Sequence, residues 1–238
     1  MIGFFWQAGV KPFSYDGAET VGINVNSPEA KEVADHWTDL IQRDLVSTDV
    51  DFSDQWYQGL AGGKYAGWLT AAWGPVFLQG TAESTSGLWR AAPLPQWSAG
   101  EQVSGNWGGS SNAVLASSEN PIAAAELAKF INHDEESAMM LATEQFFFPP
   151  QNSVLENPEF LEAESEFYGG QQVNKLFAEI SETVDTDFEW VPFMEFVYSS
   201  YEETLGTVIS DQGDISAALD TWQEQLVGYA EDQGFTVE

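Results

Sequence analysis

The sequence predicts an α/β protein with a helical second half. Strands and amphipathic helices alternate up to "FFFPPQN" (146–152), helical periodicity runs from there to the end, and 43% of the 238 residues are hydrophobic, enough to fill a sizeable core. Val21, Ile23 and Val25 alternate as a strand, and Ser27 then caps a helix with Pro28 in its first turn. Ala30, Val33, Ala34, Trp37, Leu40 and Ile41 give that helix one apolar face. "DFSDQWYQGLAGGK" (51–64) reads as a short capped helix stopped by Gly62 and Gly63. "YAGWLT" (65–70) reads as a buried strand running into the loop "AAWGP". "GLWRAAPLPQW" (87–97) reads as a strand stiffened by Pro93 and Pro95 into a crossover, the best place for a lobe boundary. "NAVLASS" (112–118) is a further short strand, and "ENPIAAAELAKFINH" (119–133) repeats the Asn-Pro helix start. The last helix carries Ile215, Ala218, Leu219, Trp222, Leu226 and Tyr229 on one face.

The formal net charge is −31, and it is uneven: residues 1–119 hold 5 basic and 13 acidic side chains, residues 120–238 hold 2 and 25. So few scattered Lys and Arg argue against nucleic acid and anionic membrane surfaces as partners. The acids alternate with apolar residues, as in "NPEFLEAESEFYGG", and so read as solvated helix faces. Their mutual repulsion fades near 1 M salt, where the screening length is about 3 Å, which points to a salt-loving, halophilic source.

Chemistry that would mark an enzyme is sparse. There is no Cys, hence no disulfide, thiolate metal site or cysteine nucleophile. "GLAGGKY" has one residue too few for a phosphate loop, and Tyr65 stands where Ser or Thr is needed. "GGSSN" (108–112) lacks the second glycine of a nucleophile elbow, and His36 and His133 fall on helices as surface or boundary residues. "DVDFSD" (49–54) has Asp54 where a calcium loop turns on glycine, and no Glu stands at the twelfth position. No metal, no cofactor and no catalytic residue is expected. Paired carboxylates in a carbohydrate-active enzyme are the alternative reading, since 38 acids permit almost any separation. No stretch approaches the ~18 apolar residues of a membrane span, and no export signal is visible.

The positive feature is the pairing of bulky rings with glycine. Trp73-Gly74 and Trp107-Gly108-Gly109 are expected at strand ends, where open α/β sheets meet their ligands. An indole face there can cover the C–H face of a sugar ring, while side-chain-free backbone approaches its hydroxyls. Trp37 and Trp222, on amphipathic faces, read as core fillers.

The serial arrangement of "QAGVKPFSYDGAETVGINVNSPEAKEVADHWTDLI", "QWYQGLAGGKYAGWLTAAWGP", "WRAAPLPQWSAGEQVSGNWGGSSNAVLASSENPIAAAELAKFI" and the helical tail resembles the extracellular solute-binding proteins of ABC sugar importers, family 1, the group that includes the maltose-binding protein. The resemblance implies a type II periplasmic-binding-protein-like fold, mainly the second lobe with part of the first. Residues 1–92 would form the second-lobe α/β portion, 93–145 a crossover and partial first lobe, and 146–238 a helical return completing the second lobe and hinge. It implies a sugar or glycoside held in an interlobe cleft, with Trp73 and Gly74 on the second-lobe wall and Trp107, Gly108 and Gly109 where the chain re-enters the first. "EWVPFMEFVY" matches a helical segment that contributes stacking rings, so Trp190 and Tyr198 are carried over, with Trp6 a weaker candidate. ABC permease subunits are the implied partners, the extracellular cell surface the implied place, and a monomer the implied state of a full-length chain. The likeness begins about halfway along a family chain. Most of the first lobe would be lacking, and a strand near 112–117 would be left without neighbours. A stand-alone regulatory or adhesion module is a third reading.

Overall fold

Strands Phe13–Tyr15 (β1) and Thr20–Ile23 (β2) pair antiparallel with Phe13 opposite Ile23, and Thr236–Val237 (β3) joins β2 in parallel, giving a sheet in the order β1-β2-β3. The turn between β1 and β2 is closed by Asp16, whose Oδ1 accepts from the backbone N–H groups of Ala18 (2.8 Å) and Thr20 (3.0 Å). The computed structural model describes all 238 residues. They form two compact units, one of Met1–Val50, Gln96–Asn106 and Val184–Glu238, the other of Asp51–Pro95 and Trp107–Thr183. Each of the three segments expected at 1–92, 93–145 and 146–238 therefore contributes to both units.

In the unit that holds the sheet, helix Pro28–Gln42 starts where expected, with Ser27 Oγ accepting from Ala30 N at 3.2 Å. Its buried Ala30, Val33, Ala34 and Ile41 join Ile215, Leu219, Trp222 and Leu226 of helix Ile215–Asp232 in one core that also takes in Val21, Ile23 and Phe5. Each Val, Leu, Ile or Phe side chain among them contributes roughly 1.5–3 kcal/mol by leaving water. Trp222 is fully buried and donates Nε1–H to Ser200 Oγ at 3.0 Å, so its one polar group is satisfied. Trp37 is half-buried and packs on Phe4 at 4.6 Å. Met194–Tyr201, the π-turn Glu202–Gly206 and Thr207–Ser210 follow one another as a helical run with Leu205 inside the core.

In the second unit, Ser53 caps helix Asp54–Ala61, and Gly62 and Gly63 end it as the sequence indicates. Helix Gly74–Thr81 packs beside it, with Trp56, Leu60, Leu78 and Ala82 meeting Phe167, Tyr168 and Val173. A smaller core of Ala138, Ala142, Val154 and Phe160 joins helices Glu135–Glu144, Asn152–Leu155 and Pro158–Leu161. Helix Pro121–His133 forms as expected but buries none of its residues: Ile122, Leu127 and Phe130 are 80%, 59% and 53% exposed.

The three strands expected at 65–70, 87–97 and 112–118 do not form. A strand needs a second strand hydrogen-bonded along its length, and none of these stretches joins the sheet. At Ala91 the main chain is met instead by one side chain: Gln171 Nε2 donates to Ala91 O (2.8 Å) and Gln171 Oε1 accepts from Ala91 N (2.9 Å). Residues 112–117 lack ladder partners, and Leu115 is 72% exposed.

Candidate functional site

Trp73 and Trp107 do not sit at strand ends as expected. Trp73 is the residue before helix Gly74–Thr81, and Trp107 lies in an irregular stretch. The two nonetheless meet inside one unit: Trp73 Nε1–H donates to the Trp107 carbonyl at 3.0 Å, and the rings lie 5.0 Å apart at 68°. Gly108 (φ +96°) and Gly109 (φ +122°) take backbone conformations that a Cβ would strain, which lets the chain turn immediately after Trp107. The indole N–H of Trp73 is thereby satisfied within the protein.

Gly74 has a packing role. A Cβ there would come within 2.5 Å of Thr70 Cγ2, and Gly74 itself is buried, so its backbone is not laid open as the sequence reading had it. Beside it the Thr70 hydroxyl is buried without a hydrogen-bond partner.

Around Trp73 stands a cluster of rings that the sequence reading did not assemble. Trp68 lies 5.9 Å from Trp73 and 4.9 Å from Trp56, and Phe77 lies 5.6 Å from Trp73. Phe52 touches four of them: Trp56 (5.5 Å), Trp68 (6.3 Å), Trp73 (6.1 Å) and Phe77 (5.3 Å). The helix cap Ser53 and the helix start at Gly74-Pro75 fix where these rings point. Trp56 is buried as core, whereas Phe52 (41%), Phe77 (37%) and Trp107 (44%) keep large exposed areas. The local signal was present in "DFSDQW", whose Phe precedes the cap, but one aromatic at that place reads as an ordinary helix entry.

The other unit holds a separate aromatic group. Trp6, on helix Ile2–Gln7, stacks on Phe188 at 4.2 Å and 13°, and Trp190 meets Phe188 at 4.9 Å and Trp6 at 5.8 Å, both edge-on. Trp6 is buried and donates Nε1–H to Asp185 O at 2.7 Å, while Trp190 is 40% exposed. Asp185 anchors this loop: its Oδ1 accepts from Asp187 N at 2.9 Å and its Oδ2 lies 3.4 Å from Lys11 Nζ. The Asp187 N–H first, and Lys11 after it, hold its carboxyl below the usual value of 3.8. Tyr198, on helix Met194–Tyr201, is half exposed, with its phenol pushed up by partial desolvation. An open groove beside Phe188 is lined by Lys11, Ser14, Thr186, Asp187 and Glu189. No three or more His, Asp or Glu side chains gather as metal ligands, and no helix is long and apolar enough to cross a membrane.

No family model matches the chain, and no curated protein does. Solved structures do. The ABC transporter associated binding protein from B. animalis subsp. lactis, in complex with beta-1,6-galactobiose, is 30% identical with a TM-score of 0.92, over 100% of this chain and 60% of that one. The galacto-N-biose-/lacto-N-biose I-binding protein of the ABC transporter from Bifidobacterium longum, in complex with lacto-N-biose, is 22% identical with a TM-score of 0.81, over 100% of this chain and 58% of that one. An extracellular solute-binding protein of family 1 matches 84% of this chain and 50% of its own at 20% identity and a TM-score of 0.67. The chain thus spans about three fifths of the length of the first two. Its fold is type II periplasmic-binding-protein-like, with structural neighbours that are sugar-binding proteins of ABC transporters.

Proposed function

We propose that the chain serves as the substrate-binding component of an ABC importer, capturing a sugar or glycoside and presenting it to membrane permease subunits, with no catalytic step of its own. The carrying observation is the 0.92 TM-score over the whole chain to a binding protein that holds beta-1,6-galactobiose. Exposed indole faces support it. Trp107 with Trp73 in one unit and Trp190 in the other are each proposed to cover the apolar face of a pyranose, and Tyr198 to add a phenolic hydrogen bond. Trp6 is proposed to act through Trp190, because its own faces are taken up in packing. Gly108 and Gly109 are proposed to bring main-chain groups near the ligand, and Gly74 to seat Trp73.

The same reading places the chain outside the cell at the cell surface, and the charge of −31 suits a salt-rich medium. Isothermal titration of the 238-residue chain against neutral disaccharides, beta-1,6-galactobiose and lacto-N-biose first, tests the function. Saturable one-to-one binding without release of monosaccharide is expected. Hydrolysis of the sugar, or no heat with any neutral saccharide, would contradict it.

A further inference from the structure

We propose that Phe52 is a ligand-contacting ring, the edge of the saccharide platform formed with Trp73; this deepens the sugar-binding reading and rests on it. Phe52 has φ +60°, in the left-handed region, where a bulky residue costs roughly 1–2 kcal/mol. A helix entry requires no such cost: Gly or Asn at the same place would adopt this backbone without it. The side chain must therefore offset the strain, and it does so by touching four aromatic rings, Trp56, Trp68, Trp73 and Phe77.

Packing alone does not account for what remains. A ring retained only to fill a core would be sealed, as Trp56 is at 6% exposure, whereas Phe52 is 41% exposed despite its four neighbours. Its plane lies 37° from that of Trp73, the smallest tilt among its four contacts. The two rings adjoin at a tilt, without a hydrogen-bonding group on Phe52 and with the Trp73 N–H already satisfied. That surface suits the C–H face of a pyranose and offers nothing to a charged ligand. Strained backbone held by packing is a feature of ligand sites.

The test titrates Phe52→Ala, Phe52→Gly and Phe52→Tyr with beta-1,6-galactobiose and lacto-N-biose, with melting temperature and near-ultraviolet circular dichroism recorded for each. Phe52→Tyr keeps the ring and should bind within about threefold of the unchanged chain. Phe52→Ala and Phe52→Gly should each bind about tenfold more weakly. Phe52→Gly should melt above Phe52→Ala because glycine relieves the left-handed strain. Weaker binding by a glycine variant that melts cooperatively, near the temperature of the unchanged chain, separates ligand contact from a structural role. Alanine and glycine variants that bind within twofold of the unchanged chain would overturn this proposal alone. An unchanged chain that binds no saccharide would overturn the functional reading and this one with it.

Discussion

Trp73 Nε1–H reaches the main-chain carbonyl of Trp107 at 3.0 Å, tying the start of one helix to a glycine-flanked turn 34 residues on. Replacing either ring by Ala should weaken saccharide binding by on the order of 1–3 kcal/mol. Trp73→Phe, which keeps a face but loses the N–H, should lose less affinity than Trp73→Ala and should disturb the environment of Trp107. Titration calorimetry with tryptophan fluorescence distinguishes them; equal losses for Phe and Ala would show that the hydrogen bond, not the face, matters.

Gly108 and Gly109 make the turn that brings the carbonyl of Trp107 into place. Gly109→Ala, with φ at +122°, should cost roughly 1–3 kcal/mol in denaturant unfolding. A variant as stable as the parent would mean that the turn can reform another way.

Thr70 Oγ1 is buried with no partner. Thr70→Val removes a desolvated hydroxyl at nearly constant shape and should be neutral or stabilising by up to about 1 kcal/mol, read from the urea midpoint. A marked loss of stability would indicate that the hydroxyl is bonded in solution.

The core and the apolar helix surface should respond oppositely. Leu219→Ala, at a fully buried position, should cost about 2–5 kcal/mol, whereas Ile122→Ser, at a position 80% exposed, should stay within about 0.5 kcal/mol. Urea unfolding of both settles it, and a large cost at Ile122 would place that side chain under cover in solution.

Three carboxylates contribute to the acid dependence of stability. Asp220 is held low by Lys31 and then Asn26, both at 2.8 Å, Asp16 by the Thr20 and Ala18 N–H groups, and Asp185 by the Asp187 N–H. Each has a folded value below its unfolded one, so its contribution is present above about 3.8 and lost as pH falls through the folded value. On the alkaline side, burial raises the Tyr168 phenol from 10.0 to about 12. Its contribution is whole below pH 10 and disappears as pH rises through 12. Melting temperature against pH should fall at both ends, less steeply at the acid end in Asp220→Asn and at the alkaline end in Tyr168→Phe.

Local signals carried the helices and the strand Thr20–Ile23, where Val21 and Ile23 alternate, and failed for three other strands. Ser27-Pro28 and the Ile215–Tyr229 face could be read because caps and a 3.6-residue period are properties of consecutive residues. The stretches 65–70, 87–97 and 112–118 have strand composition, but a strand is completed by a distant partner, which composition does not supply. At the site, pairing Trp with Gly singled out Trp73 and Trp107, and the structure brings them together, though by a helix start and a turn rather than by strand ends. Phe52 has no signature in the sequence, because what sets it apart is a left-handed φ and four ring contacts, two of them with residues more than 20 positions away.

The most direct measurement is a calorimetric titration of the unchanged chain and its Trp107→Ala variant with beta-1,6-galactobiose, in molar salt at neutral pH. Saturable binding by the first, weakened at least about fivefold in the second with the fold intact, is the predicted result. Binding unaffected by the loss of Trp107, or confined to charged solutes, would contradict the claim that exposed indole faces recognise a neutral sugar.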